Sequence, residues 1–373
     1  MNIEIKQSIL LENLNYVIKG ISSKNIIPIL NCIKFELTNE GLYMTSTDNE
    51  SAIKTFIPAD KIENIKNLGE VVISGRYIYE IIKKLPNEIV KIEEFIDNKI
   101  NISTTNSSFD LNCNNVNEFP ELDLSDSKTP FHLTRSEFKK IVKQTAFAAS
   151  TQENRPEFTG INFKITDNKL ECTSTDSYRL AKKEIMIEEH LKDNINIIVP
   201  TKNLVELERM VDDSENIINI HIFNNKIIFK FDNIIVMSRL INGTYPDTNK
   251  LIPTEFNLIL TMNLNDFYQA IDRASLLTSE FDKNTIKLDY DSNIIQISSN
   301  IPEIGHVEEK IFVECNNSEK IKLAFSSKYM LDALKSFECD KINIKFNGEE
   351  KPIIITDNEN DDVTQLILPV KTY

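Results

Sequence analysis

Apolar and polar residues alternate along much of the chain in short runs broken by Asn, Asp, Ser and Gly, and the alternation returns at a nearly constant interval. Residues 35–48 read FELTNEGLYMTSTD and residues 163–176 read FKITDNKLECTSTD. The offset is 163 − 35 = 128 residues, and Phe, Thr, Leu and the closing TSTD coincide. Residues 288–300, LDYDSNIIQISSN, keep the pattern more weakly, 125 residues beyond the second copy. Each segment alternates around a turn (Asn39-Glu40-Gly41, Asp167-Asn168, Ser292-Asn293), which predicts a β-hairpin. A repeat of this length, found three times, predicts three tandem copies of one domain.

A second element repeats more strictly. RYIYEIIKKL begins at Arg76, KNLVELERMV at Lys202 and KYMLDALKSF at Lys328, two steps of 126 residues. Each follows a short apolar strand, VVIS (71–74), IIVP (197–200) or LAFS (323–326), and each has helical periodicity. Ile78, Ile81 and Leu85 share one face, as do Leu204, Leu207 and Val211, and Met330, Ala333 and Phe337. The opposite face reads Arg76, Glu80, Lys83, then Lys202, Glu206, Arg209, then Lys328, Asp332, Lys335. All three copies thus place a cation, an acid at i+4 and a cation at i+7. One such face would be an ordinary solvated surface with ion pairs worth a few tenths of a kcal/mol; three in register ask for a further reason. A second predicted helix opens each repeat, at about 8–19, 135–149 and 263–275. Leu10, Leu14 and Val17, then Phe138, Val142, Thr145 and Ala149, then Phe267, Ile271 and Ala274 face inward. Lys19, Lys139, Lys140, Lys143 and Arg273 are expected away from those faces. The turn-rich stretches DLSDSKTP and LIPTEFN put boundaries near 127 and 255, giving domains 1–127, 128–255 and 256–373.

Composition narrows the class. The chain is 41% hydrophobic and 27% charged, as globular proteins are. No apolar run approaches the ~20 residues of a membrane helix. The N-terminus lacks a basic region and a small-residue cleavage site, so a cytoplasmic location is expected. The net charge of −15 argues against a surface that is basic throughout but leaves room for local basic stripes. Cys32, Cys113, Cys172, Cys315 and Cys339 are scattered and form no CxxC pair, so neither a disulfide framework nor a zinc site is indicated. His132, His190, His221 and His306 have no His or Cys at ligand spacing. The TSTD repeats lack a base and read as strand-end turns in which Thr or Asp bonds the backbone. No catalytic constellation, metal or cofactor is expected.

Six segments carry a resemblance along the whole chain: IIPILNCIKFEL (26–37), NRPEFTGINF (154–163), STDSYRLA (174–181), NGTYPDTNKLIP (242–253), SNIPEIGHVEE (299–309) and ILPVK (367–371). In order and spacing the sequence resembles the bacterial replicative sliding clamps, the beta subunits of DNA polymerase III. The resemblance implies an α+β fold of three clamp domains, each of two βαβββ units. It also implies a head-to-tail dimeric ring with helices lining the pore and sheets outside. The function implied is a non-catalytic processivity factor that slides on duplex DNA and tethers the replicative polymerase, the clamp loader and repair proteins.

Carried over residue by residue, the resemblance implies DNA contacts at Lys24, Gln152 and Lys202. The cationic faces would add Arg76, Lys83, Arg209, Lys328 and Lys335. It implies a partner-peptide groove between the second and third domains, walled by Phe158, Thr175, Ser177, Tyr178, Arg179, Leu180, Pro246, Lys250, Leu251, Tyr329, Leu368, Pro369, Val370 and Lys371. It implies a dimer seam that includes Phe109, Leu111, Leu276, Leu277, Glu303 and Glu308. The chain departs from some members at Ser177-Tyr178 (Gly-His there), at Lys250 (commonly Arg) and in continuing to Thr372-Tyr373. A DNA-processing enzyme would need a metal or nucleophile constellation. A β-rich scaffold without nucleic acid would not explain the aligned cations.

Overall fold

The computed structural model describes residues 1–21, 26–95, 98–188, 194–313, 315 and 319–371. Among them the order strand, helix, three strands occurs six times, twice in each sequence repeat, with one additional short strand at Asn64–Asn67. The six helices are α1 (Gln7–Val17), α2 (Gly75–Lys84), α3 (Arg135–Thr145), α4 (Thr201–Glu208), α5 (Leu264–Ser275) and α6 (Ser327–Lys335). All three predicted hairpins form, with positive φ at Gly41, Asp167, Ser292 and Asn293 in their turns. A Cβ at Gly41 would lie 2.1 Å from the Ile57 carbonyl oxygen, so only glycine fits that turn.

The chain divides into two compact units, residues 1–135 with 206–240, and 136–205 with 241–373. In the first unit thirteen antiparallel strands form one open sheet. Its order runs Phe131–Thr134, Ile217–Ile222, Lys226–Phe231, Ile234–Arg239, Ser51–Pro58, Gly41–Thr47, Cys32–Leu37, Gly69–Ser74, Ser108–Asn114, Lys99–Ser103, Ile89–Phe95, Asn2–Lys6, Asn64–Asn67. The sheet runs from first-repeat into second-repeat strands because Ile234–Arg239 pairs with Ser51–Pro58. Its core packs Leu10 and Leu14 of α1 and Ile78 and Ile82 of α2 against Ile3, Phe35, Ile73 and Ile102. Ile82, not Ile81, completes the buried face of α2; Ile81 is half-buried at its margin.

The second unit has an eight-stranded sheet and a four-stranded sheet. In the eight-stranded sheet Arg179–Met186 pairs with Val363–Ile367, joining second- and third-repeat strands as in the first unit. The core of its third-repeat part packs Phe267 and Ile271 of α5 and Met330 of α6 against Leu260, Leu288, Ile297, Phe325 and Ile344.

One serine of the repeated hairpin has the same job three times. Ser46 Oγ donates to the Val17 carbonyl at 2.5 Å, Ser174 Oγ to the Thr145 carbonyl, and Ser299 Oγ to the Ala274 carbonyl at 2.6 Å. Each acceptor lies at or one residue before the end of the first helix of its repeat, where carbonyls lack partners in the helix itself. This ends α3 at Thr145, short of the expected 149; residues 146–148 continue as a tighter 3-10 turn. Likewise α4 stops at Glu208, and Met210 and Val211 are buried in the turn after it.

Candidate functional site

The cationic faces are built as the periodicity predicts. Arg76, Lys83, Lys202, Arg209, Lys328 and Lys335 are all exposed, whereas Glu80, Glu206 and Asp332 are half-buried. The acids do not treat the three copies alike. Glu80 lies 3.8 Å from Lys84, Glu206 binds Arg209 at 2.6 Å, and Asp332 binds Arg179 at 2.7 Å. Arg209 is thus held by the acid of its own stripe, whereas Asp332 is turned to a residue outside its stripe. Lys83 lies 5.4 Å from the Tyr79 ring centre and Lys335 5.9 Å from that of Tyr268, each a cation over an aromatic face.

Other expected cations are already engaged. Lys19 does not point outward: it sits half-buried in the 3-10 turn after α1, its Nζ donates to the Arg209 carbonyl at 3.1 Å, and desolvation lowers its pKa. Arg273 is exposed but held by both Glu309 oxygens at 2.9 and 2.8 Å, and Lys143 is paired with Glu338 at 2.5 Å. Gln152 lies exposed in the loop between the 3-10 turns at 146–148 and 156–159, and Lys24 lies outside the described residues.

The TSTD loops are turns of the expected kind. Thr47 Oγ1 donates to the Ser51 carbonyl, and Asp48 Oδ1 accepts the amides of Glu50 and Ser51. Thr175, Asp176, Tyr178 and Arg179 repeat every one of these bonds 128 residues later. Asn49 and Ser177 take the matching left-handed conformation, φ 73° and 77°. Ser177-Tyr178 therefore fits the turn, although serine at positive φ is strained.

In the second unit this loop gathers several of the residues expected to wall a groove. Leu368 N–H donates to the Tyr178 carbonyl at 2.9 Å and Val370 N–H to the Ala324 carbonyl at 2.7 Å, so residues 368–370 lie between the loop and the strand Ile321–Ser326. Arg179 packs over the Tyr329 ring, 4.5 Å from its centre, and desolvation raises the Tyr329 pKa. Leu180 is buried with Ile354 and Leu366 against Ile252 and Phe256. Phe158 is buried with Ile198 and Tyr245 and is covered by Arg155, 4.0 Å from its centre. Thr175 is buried too, so these three are floor rather than open wall. Tyr178, Leu251 and Leu368 remain 61%, 54% and 38% exposed. Pro246, Lys250 and Lys371 are exposed, with Lys250 3.3 Å from Asp247, while Pro369 and Val370 are half-buried. Pro369, Val370 and Lys371 also line a cleft of about 340 Å³ with Lys322, Leu323, Ala324, Glu349 and Glu350. The sequence reading did not bring Arg155, Asp176, Tyr245 or Asp332 to these residues; Asp176 stood in the repeated TSTD and Asp332 in the third stripe, but neither pattern tells which side chain it meets.

Of the seam candidates, Phe109, Leu111 and Glu308 lie on edge strands, Leu276 and Leu277 follow α5, and Glu303 lies in the turn before Gly305. Ser108–Asn114 pairs along its length with Lys99–Ser103 but meets Gly69–Ser74 only at Asn114 and Cys113. Residues 108–112 thus show an edge with no strand partner among the described residues, carrying Phe109 (39% exposed) and half-buried Leu111. In the second unit Gly305–Phe312 is the edge of the four-stranded sheet. Ile304, just before this strand, and Phe312, at its end, are 71% and 81% exposed, and Leu276 and Phe281, in the segment after α5, are 78% and 104% exposed. Glu303 and Glu308 are exposed, Glu308 lying 3.2 Å from Lys310, and Leu277 is half-buried.

Among the described residues no three His, Cys, Asp or Glu side chains converge as a metal site would require, and no helix is long and apolar enough to cross a membrane. A thrice-repeated α+β unit with open sheets and cationic helix faces belongs to the class of clamp proteins. Sequence comparison is specific. The models of the N-terminal, central and C-terminal domains of the DNA polymerase III beta subunit match residues 1–123, 132–247 and 249–371. The beta sliding clamps of Staphylococcus epidermidis and Staphylococcus aureus are 39% and 38% identical over the full length of both chains. The crystal structure of the DNA polymerase sliding clamp from Bacillus subtilis matches all of both chains with a TM-score of 0.97 at 37% identity; that of the Streptococcus pneumoniae DNA polymerase III beta chain gives 0.94 at 31%. The chain belongs to the DNA polymerase III beta subunit family, the beta sliding clamps. It is accordingly a non-catalytic processivity factor of DNA replication.

Proposed function

We propose that two copies of this chain close head to tail into a cytoplasmic ring that encircles duplex DNA. The domains are 1–127, 128–255 and 256–373. The observation that carries the reading is the exposure of all six stripe cations in a protein of net charge −15, with the stripe acids half-buried. Lysine and arginine facing phosphates through water and counterions attract any sequence weakly and let the ring slide. Arg76, Lys83, Lys202, Arg209, Lys328 and Lys335 form this face, with Lys24 and Gln152 as closer contacts.

The seam joins the free edge at Phe109 and Leu111 of one copy to the Gly305–Phe312 edge of the other, near Leu276, Leu277, Glu303 and Glu308. Pairing the edges removes two surfaces open to aggregation. The groove around Tyr178, Arg179, Leu251, Tyr329 and Leu368 takes short peptides with apolar anchors from the replicative polymerase, the clamp loader and repair proteins. The test is retention on DNA. A ring loaded on a circle stays in high salt and leaves when the circle is cut; loss before cutting overturns encirclement.

A further inference from the structure

Three acids occupy one position in three repeats, yet of the three Asp332 pairs with a residue far off in sequence. It binds Arg179 Nη1 at 2.7 Å, while Glu80 and Glu206 bind neighbours one turn away. Arg179 is well placed to hold it. Its Nε also binds Asp176 at 3.0 Å, and its guanidinium lies over the rings of Tyr329 (4.5 Å) and Phe147 (5.5 Å). Its side chain is 10% exposed and that of Asp332 31%. Without Arg179, helix geometry would leave Asp332 one turn from both Lys328 and Lys335, within pairing reach. The matching loop residue in the first repeat is Ser51, which carries no charge, and Glu206 stays on Arg209.

The geometry points to Arg179 as a positioning residue that joins the partner groove to the cationic face of α6. By holding Asp332 it leaves Lys328 and Lys335 available to phosphates; by stacking on Tyr329 it fixes the groove wall. The two tasks use one guanidinium, so they are linked. A partner peptide whose carboxylate draws Arg179 away returns Asp332 to Lys335 and loosens that face from DNA. By reciprocity, DNA on the face favours the state in which Arg179 stays on Asp332. The inference rests on the proposal that this face meets DNA.

The test is whether Lys335→Ala matters by background. Full-length protein is titrated with a short duplex at several salt concentrations. Losing one phosphate contact reduces the steepness of log K against log salt by about 0.9. Arg179→Met removes the charge while keeping an apolar stem against Tyr329 and Phe147. Lys335→Ala should reduce the steepness by about 0.9 alone, hardly at all beside Arg179→Met, and by about 0.9 again once Asp332→Asn is added. Arg179→Lys, which keeps a cation for Asp332, should preserve the full effect and covers the case in which Arg179→Met does not fold. Equal losses in all backgrounds overturn the coupling, because simple summation of charge predicts additivity. No effect of Lys335→Ala in the parent protein removes the DNA-facing stripe itself, a different result.

Discussion

Leu276 offers the sharpest test of ring closure. It follows α5 and is 78% exposed, so the isolated chain gains little from it. If the seam covers it, the ring gains nearly a full leucine. Burying a whole leucine side chain contributes about 1.5–3 kcal/mol, so the exposed share is about 1.2–2.3 kcal/mol. A head-to-tail dimer has two identical seams, and the substitution enters both. Leu276→Ser should therefore weaken dimerisation by about 2.4–4.6 kcal/mol, roughly 60- to 2,000-fold in Kd. Serine avoids placing an acid at a helix C-terminus, where it would oppose the helix dipole. Sedimentation equilibrium over a dilution series measures the Kd, and thermal unfolding at low concentration checks that the monomer is intact. An unchanged Kd would refute the placement of Leu276 in a seam. A lowered monomer melting point with an unchanged Kd would show that it serves only its own domain.

Three further outcomes follow from the geometry. Lys83→Ala should reduce the salt steepness of duplex binding by about 0.9, whereas Arg209→Ala, already paired with Glu206, should change it less; equal changes would show that the pairing is irrelevant. Ser46→Ala leaves the Val17 carbonyl without its hydroxyl donor in a buried site and should destabilise the first unit by about 1–3 kcal/mol in denaturant titration, whereas Ser46→Thr, which keeps the hydroxyl, should retain the bond. Lys226 Nζ holds the Asp123 carboxyl well below the usual carboxylate range, with Ser125 adding to the effect. A folded pKa below the unfolded one stabilises above the unfolded value near ~4 and is lost as pH falls from there toward the folded value. Protection of residues 120–128, taken as the exchange rate relative to an unstructured peptide at the same pH, should therefore fall below about pH 4, and Lys226→Met should weaken that pH dependence, leaving the part due to Ser125.

Much of the fold was legible because the repeat announces it. Alternation around short turns fixed the three hairpins, and helical phase fixed the buried faces of α5 and α6. The misses have local causes. Ile81 and Ile82 are adjacent and equally apolar, and only the direction of packing puts Ile82 inside. Thr145 is inward, as expected, but the helix ends there, where a hydroxyl 29 residues away takes its carbonyl, and not at 149. Lys19 reads as an outward cation until the fold brings it to the Arg209 carbonyl. The stripes were visible as a pattern of charge. Which acid neutralises which cation was not, since Asp332 finds Arg179 across 153 residues of sequence.

The repeat also explains why sequence periodicity alone could not place the groove. Arg239 N–H donates to the Glu50 carbonyl at 2.8 Å, and Leu368 N–H donates to the Tyr178 carbonyl at 2.9 Å. The loops before them share their Thr and Asp hydrogen bonds and their left-handed residue, so the backbone frame is the same. The side chains on that frame are not. Glu50, Ser51 and Arg239 stand where the second frame has Tyr178, Arg179 and Leu368. A peptide with apolar anchors would have to strip water from Glu50 and Arg239 in the first frame without a matching partner, whereas Tyr178 and Leu368 gain by being covered. One duplicated turn thus supplies two frames, and side-chain chemistry restricts the proposed partner groove to the second.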